Sequence, residues 1–118
     1  MTLRSHLVLF VAIALAAALA GACKNTGEAT GATCPTGGTT LTYENFGKAF
    51  MTTYCNDCHA GHDSPSLDTV TEIRANASDI DRTSAAGPNA ENTVMPKDGS
   101  VPSAERTKLG EWLACGAP

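Results

Sequence analysis

"TTYCNDCHAGH", residues 52–62, sets two cysteines and two histidines into eight positions, Cys55 to His62. Three chemistries use clusters of this kind: a thiol–disulfide pair, a structural zinc ion, or a covalently held haem. A redox dithiol belongs beside a βαβ pattern, and no alternating strand pattern occurs along the chain. Structural zinc takes four ligands, usually as two pairs. No second Cys-x-x-Cys or His-x-His pair exists here; Cys34 and Cys115 stand alone, and His62 is the spare histidine. Cys-x-x-Cys-His is the haem attachment signature, and Cys55, Cys58 and His59 match it.

The spacing has a physical reason. Cysteines three apart at a helix end share one face, so both sulfurs reach the haem edge that carries the vinyl groups. Each forms a thioether, and the imidazole of His59 turns under the macrocycle to the iron. One haem c per chain follows, with Cys55 and Cys58 as covalent links and His59 as the proximal iron ligand. His62 is three residues further on and emerges on the same side of the haem, which makes it a solvated loop histidine.

Outward from the motif, the chain is 118 residues long, room for one domain. Residues 1–22 read as a secretory signal: Arg4 and His6, an apolar run from Leu7 to Ala20, then small residues. A membrane anchor is the alternative, but 14 apolar residues are short for a span of about 20. Ala20-Gly21-Ala22 suits ordinary cleavage. "LAGAC" also resembles a bacterial lipobox, in which Cys23 would carry lipid, although Ala20 stands where that pattern usually has Leu. The lipidated form is preferred because a Cys just past the cut is uncommon by chance.

Export implies an oxidising compartment such as the periplasm. Without Arg4 the chain carries 7 Lys and Arg against 12 Asp and Glu, a net of −5. That argues against nucleic acid, whose binding needs clustered cations, and against a polybasic grip on anionic lipid.

Residues 23–40, "CKNTGEATGATCPTGGTT", hold no large apolar side chain and read as a flexible tether. The domain proper spans 41–118 and is expected to be all-α. Tyr43, Phe46, Phe50 and Tyr54 fall on one helical face behind a Thr42 cap, with Glu44 in the first turn. A second helix is expected within "SPSLDTVTEIRANA", starting at Ser66 or Asp68, with Leu67, Val70, Ile73 and Ala77 inward. "SDIDRTSAA" adds a short helical turn before Gly87 and Pro88, and residues 87–102 form a loop. A last helix starts at Ser103, turns Leu109, Trp112 and Leu113 inward, and stops near Gly116. A domain of this size with few large aliphatics struggles to build its own core; a porphyrin would supply the missing interior.

The ordered set of features resembles the small monohaem class I c-type cytochromes of bacteria. It comprises "YENFGKAFMTTY", "CNDCH", "TVMPKDG" and "AERTKLGEWLACG", covering Leu41 to the C-terminus. The resemblance implies a cytochrome c-like fold of three to four helices around the haem. It also implies that the first and last helices cross, with Gly47 and Phe46 or Phe50 against Leu109 and Trp112. Crossing brings the helix ends together, which makes Cys34–Cys115 the expected disulfide. Unrelated thiols, or Cys23 as a partner, are the alternatives.

The distal iron ligand is expected from Met95. Met51 lies on the first helix and reads as core. Met95 sits in a loop 36 residues after His59, far enough to wrap to the other haem face, and Pro96 pushes it into extended backbone. A loop methionine packed on the core is the alternative. His/Met ligation raises the potential relative to bis-His and leaves no open iron position. The expected function is therefore one-electron transfer between redox protein partners, by a non-enzymatic, monomeric carrier. A haem-based sensor in which Met95 is displaced is the alternative. Arg74 or Arg82 could pair with the haem propionates. Asp63, Asp68, Asp79, Asp81 and Glu91 read as solvated surface, and Gly61 as a turn.

Overall fold

The computed structural model describes residues 26–118; the segment expected to be a signal and the expected lipidation site Cys23 lie outside them. A π-helical turn (Tyr43–Gly47) runs directly into α1 (Lys48–Tyr54), followed by α2 (Asn56–His59), α3 (Val70–Ala75), α4 (Ala77–Ser84) and α5 (Ser103–Ala114). No strand occurs among the described residues, only an antiparallel bridge between Ala86 and Glu91. The described chain is all-α.

Local chemistry sets the helix ends. Thr42 accepts from the Asn45 amide while the Asn45 side chain accepts from Thr42, a reciprocal capping box. The second helix begins later than expected. Thr69, rather than Ser66 or Asp68, forms a capping box with Glu72, because T-V-T-E places a carboxylate three residues after a hydroxyl. The hydrogen bonds from Thr69 hold the Glu72 carboxyl below its ordinary range. Asn76 separates α3 from α4, its side-chain amide donating to the Glu72 carbonyl at 2.8 Å. Pro102 precedes α5, where its fixed φ suits entry to a helix.

The aromatic face of the first helical stretch meets α5. Phe46 stands edge-on to Trp112 with centroids 5.8 Å apart, within the range where such pairs add stability beyond burial. Phe50 packs on Phe46, and Tyr54 on Phe50. Met51, Ile73, Leu109 and Trp112 are fully buried with them, so Met51 is a core residue. A Cβ on Gly47 would overlap the six-membered ring of Trp112; only a glycine admits the indole here.

Two further ties close the body. Cys34 and Cys115 form a disulfide across 81 residues, their Cα atoms 4.7 Å apart. Arg74 donates through Nε and Nη2 to the Ala117 carbonyl, at 3.1 and 2.8 Å, fastening the C-terminus to α3.

The stretch expected to be a tether departs from that reading. Gly27 donates to the Arg82 carbonyl, and Asn89 donates to the Thr30 carbonyl. Thr30 is fully buried, with its amide and hydroxyl both on the Asp81 carboxylate. From Gly27 to the disulfide the chain is an arm laid on α4 and the loop that follows. Its composition hid this because polar hydrogen bonds, not apolar side chains, hold it. Asp81 is correspondingly half-buried rather than solvated.

Candidate functional site

Cys55 is both the end of α1 and the cap of α2, and its carbonyl accepts from the amides of Cys58 and His59, at 3.2 and 2.9 Å. This single turn sets both thiols and the imidazole along one cavity. Asp63 then donates to the Cys58 carbonyl, and Leu67 to the His59 carbonyl, folding residues 60–67 back beneath the motif. Gly61, at φ +77°, makes the reversal.

That fold-back orients His59. Its Nδ1 lies 2.8 Å from the Pro65 carbonyl oxygen. A carbonyl can only accept, so Nδ1 carries the proton, and in the neutral ring the lone pair is on Nε2. A backbone acceptor on the other ring nitrogen is the usual support of a metal-ligating histidine.

The cavity has a volume of about 720 Å³, within the range of about 300–1,000 Å³ typical of cofactor sites. Cys55, Cys58 and His59 form one part of its lining; Ile80 and Thr83 of α4, Leu67 and Met95 form others. Met95 and the motif are thus brought to one cavity from opposite halves of the domain. His62 is exposed and takes no part in the lining. Asp63 and Asp79, expected as plain surface, line it together with Asp57 and Asp98. Among the described residues, Lys97 is the only lysine or arginine lining the same cavity. The Asp98 carboxyl is held below its ordinary range by the backbone N–H of Ser100.

The two thiols differ. Cys58 is exposed and Cys55 half-buried, and burial pushes the Cys55 thiol up from 9.0 to about 11, against the opposing pull of Arg106. A reactive redox dithiol needs the opposite shift. A thioether sulfur, which carries no charge, suits this environment. Among the described residues, no three His, Cys, Asp or Glu side chains converge as metal ligands. A haem asks only for one or two protein ligands to its iron, so the donor set present fits a haem better than a tetrahedral ion.

Neither arginine considered for the propionates serves the cavity. Arg74 is committed to Gly116 and Ala117, and Arg82 does not contribute to the lining. The cation that sequence reading missed is Arg106. It is buried on α5, and its Nη1 donates to the carbonyls of Ser84, Asn92 and Met95. Its one sequence signal was position: Arg106 shares the inward stripe of Leu109 and Leu113. Asn92, also buried, ties the arm to α4 by donating to the Glu28 and Asp81 carbonyls.

Comparisons with protein-family models, curated proteins and solved structures found no match.

Proposed function

We propose that the protein is an exported monohaem c-type cytochrome, a one-electron carrier between redox protein partners. One observation supports this reading above the others: Cys55, Cys58, His59 and Met95, spread over 41 positions of sequence, line one cavity of cofactor size. When bound, haem supplies a ferric/ferrous couple whose potential a thioether ligand raises.

The chain's own residues do the rest. The sulfurs of Cys55 and Cys58 supply two covalent links. His59 offers Nε2, and the Pro65 carbonyl holds its ring in the ligating tautomer. Met95, on the same cavity, would hold the iron through its sulfur. Tyr54, Leu67 and Ile80 give the lining apolar surface, which would limit water's access to a bound haem. Held by both His59 and Met95, the iron would have no position left for substrate, which suits electron exchange rather than catalysis. Anchoring through a lipid on Cys23 would hold this carrier at a membrane surface.

An optical and potentiometric titration of protein matured with haem tests the proposal. The expected result is covalent low-spin haem with the red ferric band of methionine ligation, a band that Met95→Ala abolishes. A chain that acquires no covalent haem, or a red band indifferent to Met95→Ala, overturns it. Carbon monoxide separates carrier from sensor: the reduced carrier binds it hardly at all, a ligand-exchange protein readily.

A further inference from the structure

Among the described residues, Arg106 is the one charged side chain buried in the core, 1 % exposed. Its Nη1 reaches the carbonyl oxygens of Ser84 at 2.7 Å, Asn92 at 2.7 Å and Met95 at 2.9 Å. Its Nε donates to Val101 at 3.2 Å. From α5, one guanidinium therefore holds the end of α4 and three separate points of the loop between α4 and α5. Among the described residues no carboxylate comes within salt-bridge distance of it, Glu91 acting only from longer range, and Nη2 has no partner. Burying a cation in this way is costly, and the carbonyls that offset the cost belong to the segment that presents Met95.

We propose that Arg106 is the positioning residue for Met95, clamping its loop so that the methionine sulfur stays on the iron and external ligands are kept off. The inference rests on the haem reading above. Both backbone polar groups of Met95 are pinned: its amide donates to the Thr83 carbonyl at 2.8 Å, and its carbonyl accepts from Arg106. A ligand on a held loop has little conformational freedom left to lose when it binds. Released, Met95 would occupy its binding-competent position a smaller fraction of the time, and an external ligand would compete in proportion. The planar fork of arginine aims three N–H groups, two on Nη1 and one on Nε, in fixed directions and shares them among four carbonyls; lysine offers one nitrogen with three rotatable donors. Arg106→Lys keeps the charge and loses the clamp.

The test compares wild-type, R106K and Ile73→Val holoproteins. Ile73 is buried in α3 and lines no part of the cavity, so its variant lowers stability without touching the loop. R106K is expected to retain covalent haem, to lose intensity in the red ferric band, and to bind carbon monoxide at least tenfold more tightly when reduced. Ile73→Val is expected to melt earlier with band and carbon monoxide affinity unchanged. Wild-type band and affinity in R106K, or an equal rise in affinity for Ile73→Val, overturns the positioning role. An independent readout needs no variant: in the wild-type holoprotein the Arg106 side-chain N–H protons exchange slowly with solvent, and fast exchange overturns the clamp. Absence of covalent haem in the wild type overturns the haem reading, and with it the inference. Haem present with R106K unchanged overturns the inference alone.

Discussion

Trp112 lies directly on the backbone of Gly47, its six-membered ring occupying the space a β-carbon would need. This contact fixes how closely α5 approaches the helix that leads into the Cys55–His59 turn.

Gly47→Ala is expected to destabilise the protein by about 1–3 kcal/mol, the usual cost of overpacking. Trp112 is fully buried and also donates to the Pro118 carbonyl at 3.2 Å, so it cannot yield without losing that bond. Denaturant melts of the two proteins make the comparison; equal midpoints would show that the helices do not meet at this glycine.

Removing the Cys34–Cys115 disulfide by a double Ser substitution is expected to cost about 4–5 kcal/mol, the chain-entropy value for a loop of this length. The 81-residue separation means the cross-link restrains nearly the whole described chain when unfolded. Thermal melts with and without reductant give a quick check. A wild-type melt unmoved by complete reduction counts against the bond's contribution.

Asp81→Ala is expected to release the arm from α4. Two hydrogen bonds from Thr30 to a carboxylate disappear, and charge-assisted bonds are worth about 1.5–3 kcal/mol each at most. Because Asp81 is half-buried, a total loss near 2 kcal/mol is the expectation. Hydrogen exchange gives the specific readout: the Thr30 amide loses protection while amides in α5 keep theirs. Unchanged protection at Thr30 would falsify the arm's dependence on Asp81.

Cys55 gives a pH signature to the haem-free protein. Its thiol is raised from 9.0 to about 11 by burial, so the folded state binds the proton more tightly than the unfolded state. The associated stability is fully present below about pH 9 and is lost as pH climbs through 11, up to about 2–3 kcal/mol at 1.36 kcal/mol per unit. Urea melts of haem-free wild type and Cys55→Ala at pH 8 and pH 11 isolate it: the wild type should lose more on the alkaline side. In the haem-attached protein the sulfur no longer titrates, and the difference should vanish. Parallel losses in both haem-free chains would show Cys55 to be solvated.

Much of the architecture was legible in local sequence. Aromatic spacing from Tyr43 to Tyr54 marked the first helix, Thr42 its cap, and Pro102 with Leu109, Trp112 and Leu113 the last helix. These signals are short-range: a 3.6-residue period, a hydroxyl beside free amides, a ring that fixes φ. The close approach at Gly47 and the pairing of Cys34 with Cys115 were accessible only through resemblance to a family, since residues 65 and 81 positions apart carry no local sign of contact.

Other features depended on hydrogen bonds between distant segments. Nothing about residues 27–33 distinguishes a tether from a docked arm until Asp81 is beside Thr30. Arg74, expected as one of two candidates for the propionates, instead ties down the C-terminus, and Arg106 is buried under the Met95 loop. The sequence by itself determined the all-α character and the Cys55–Cys58–His59 cluster, because both are written within a few turns of chain. Tertiary structure alone decided that Met95 shares a cavity with that cluster, that the Pro65 carbonyl sets the His59 tautomer, and that a buried guanidinium holds the loop. Each of these joins groups that only the folded chain brings within reach.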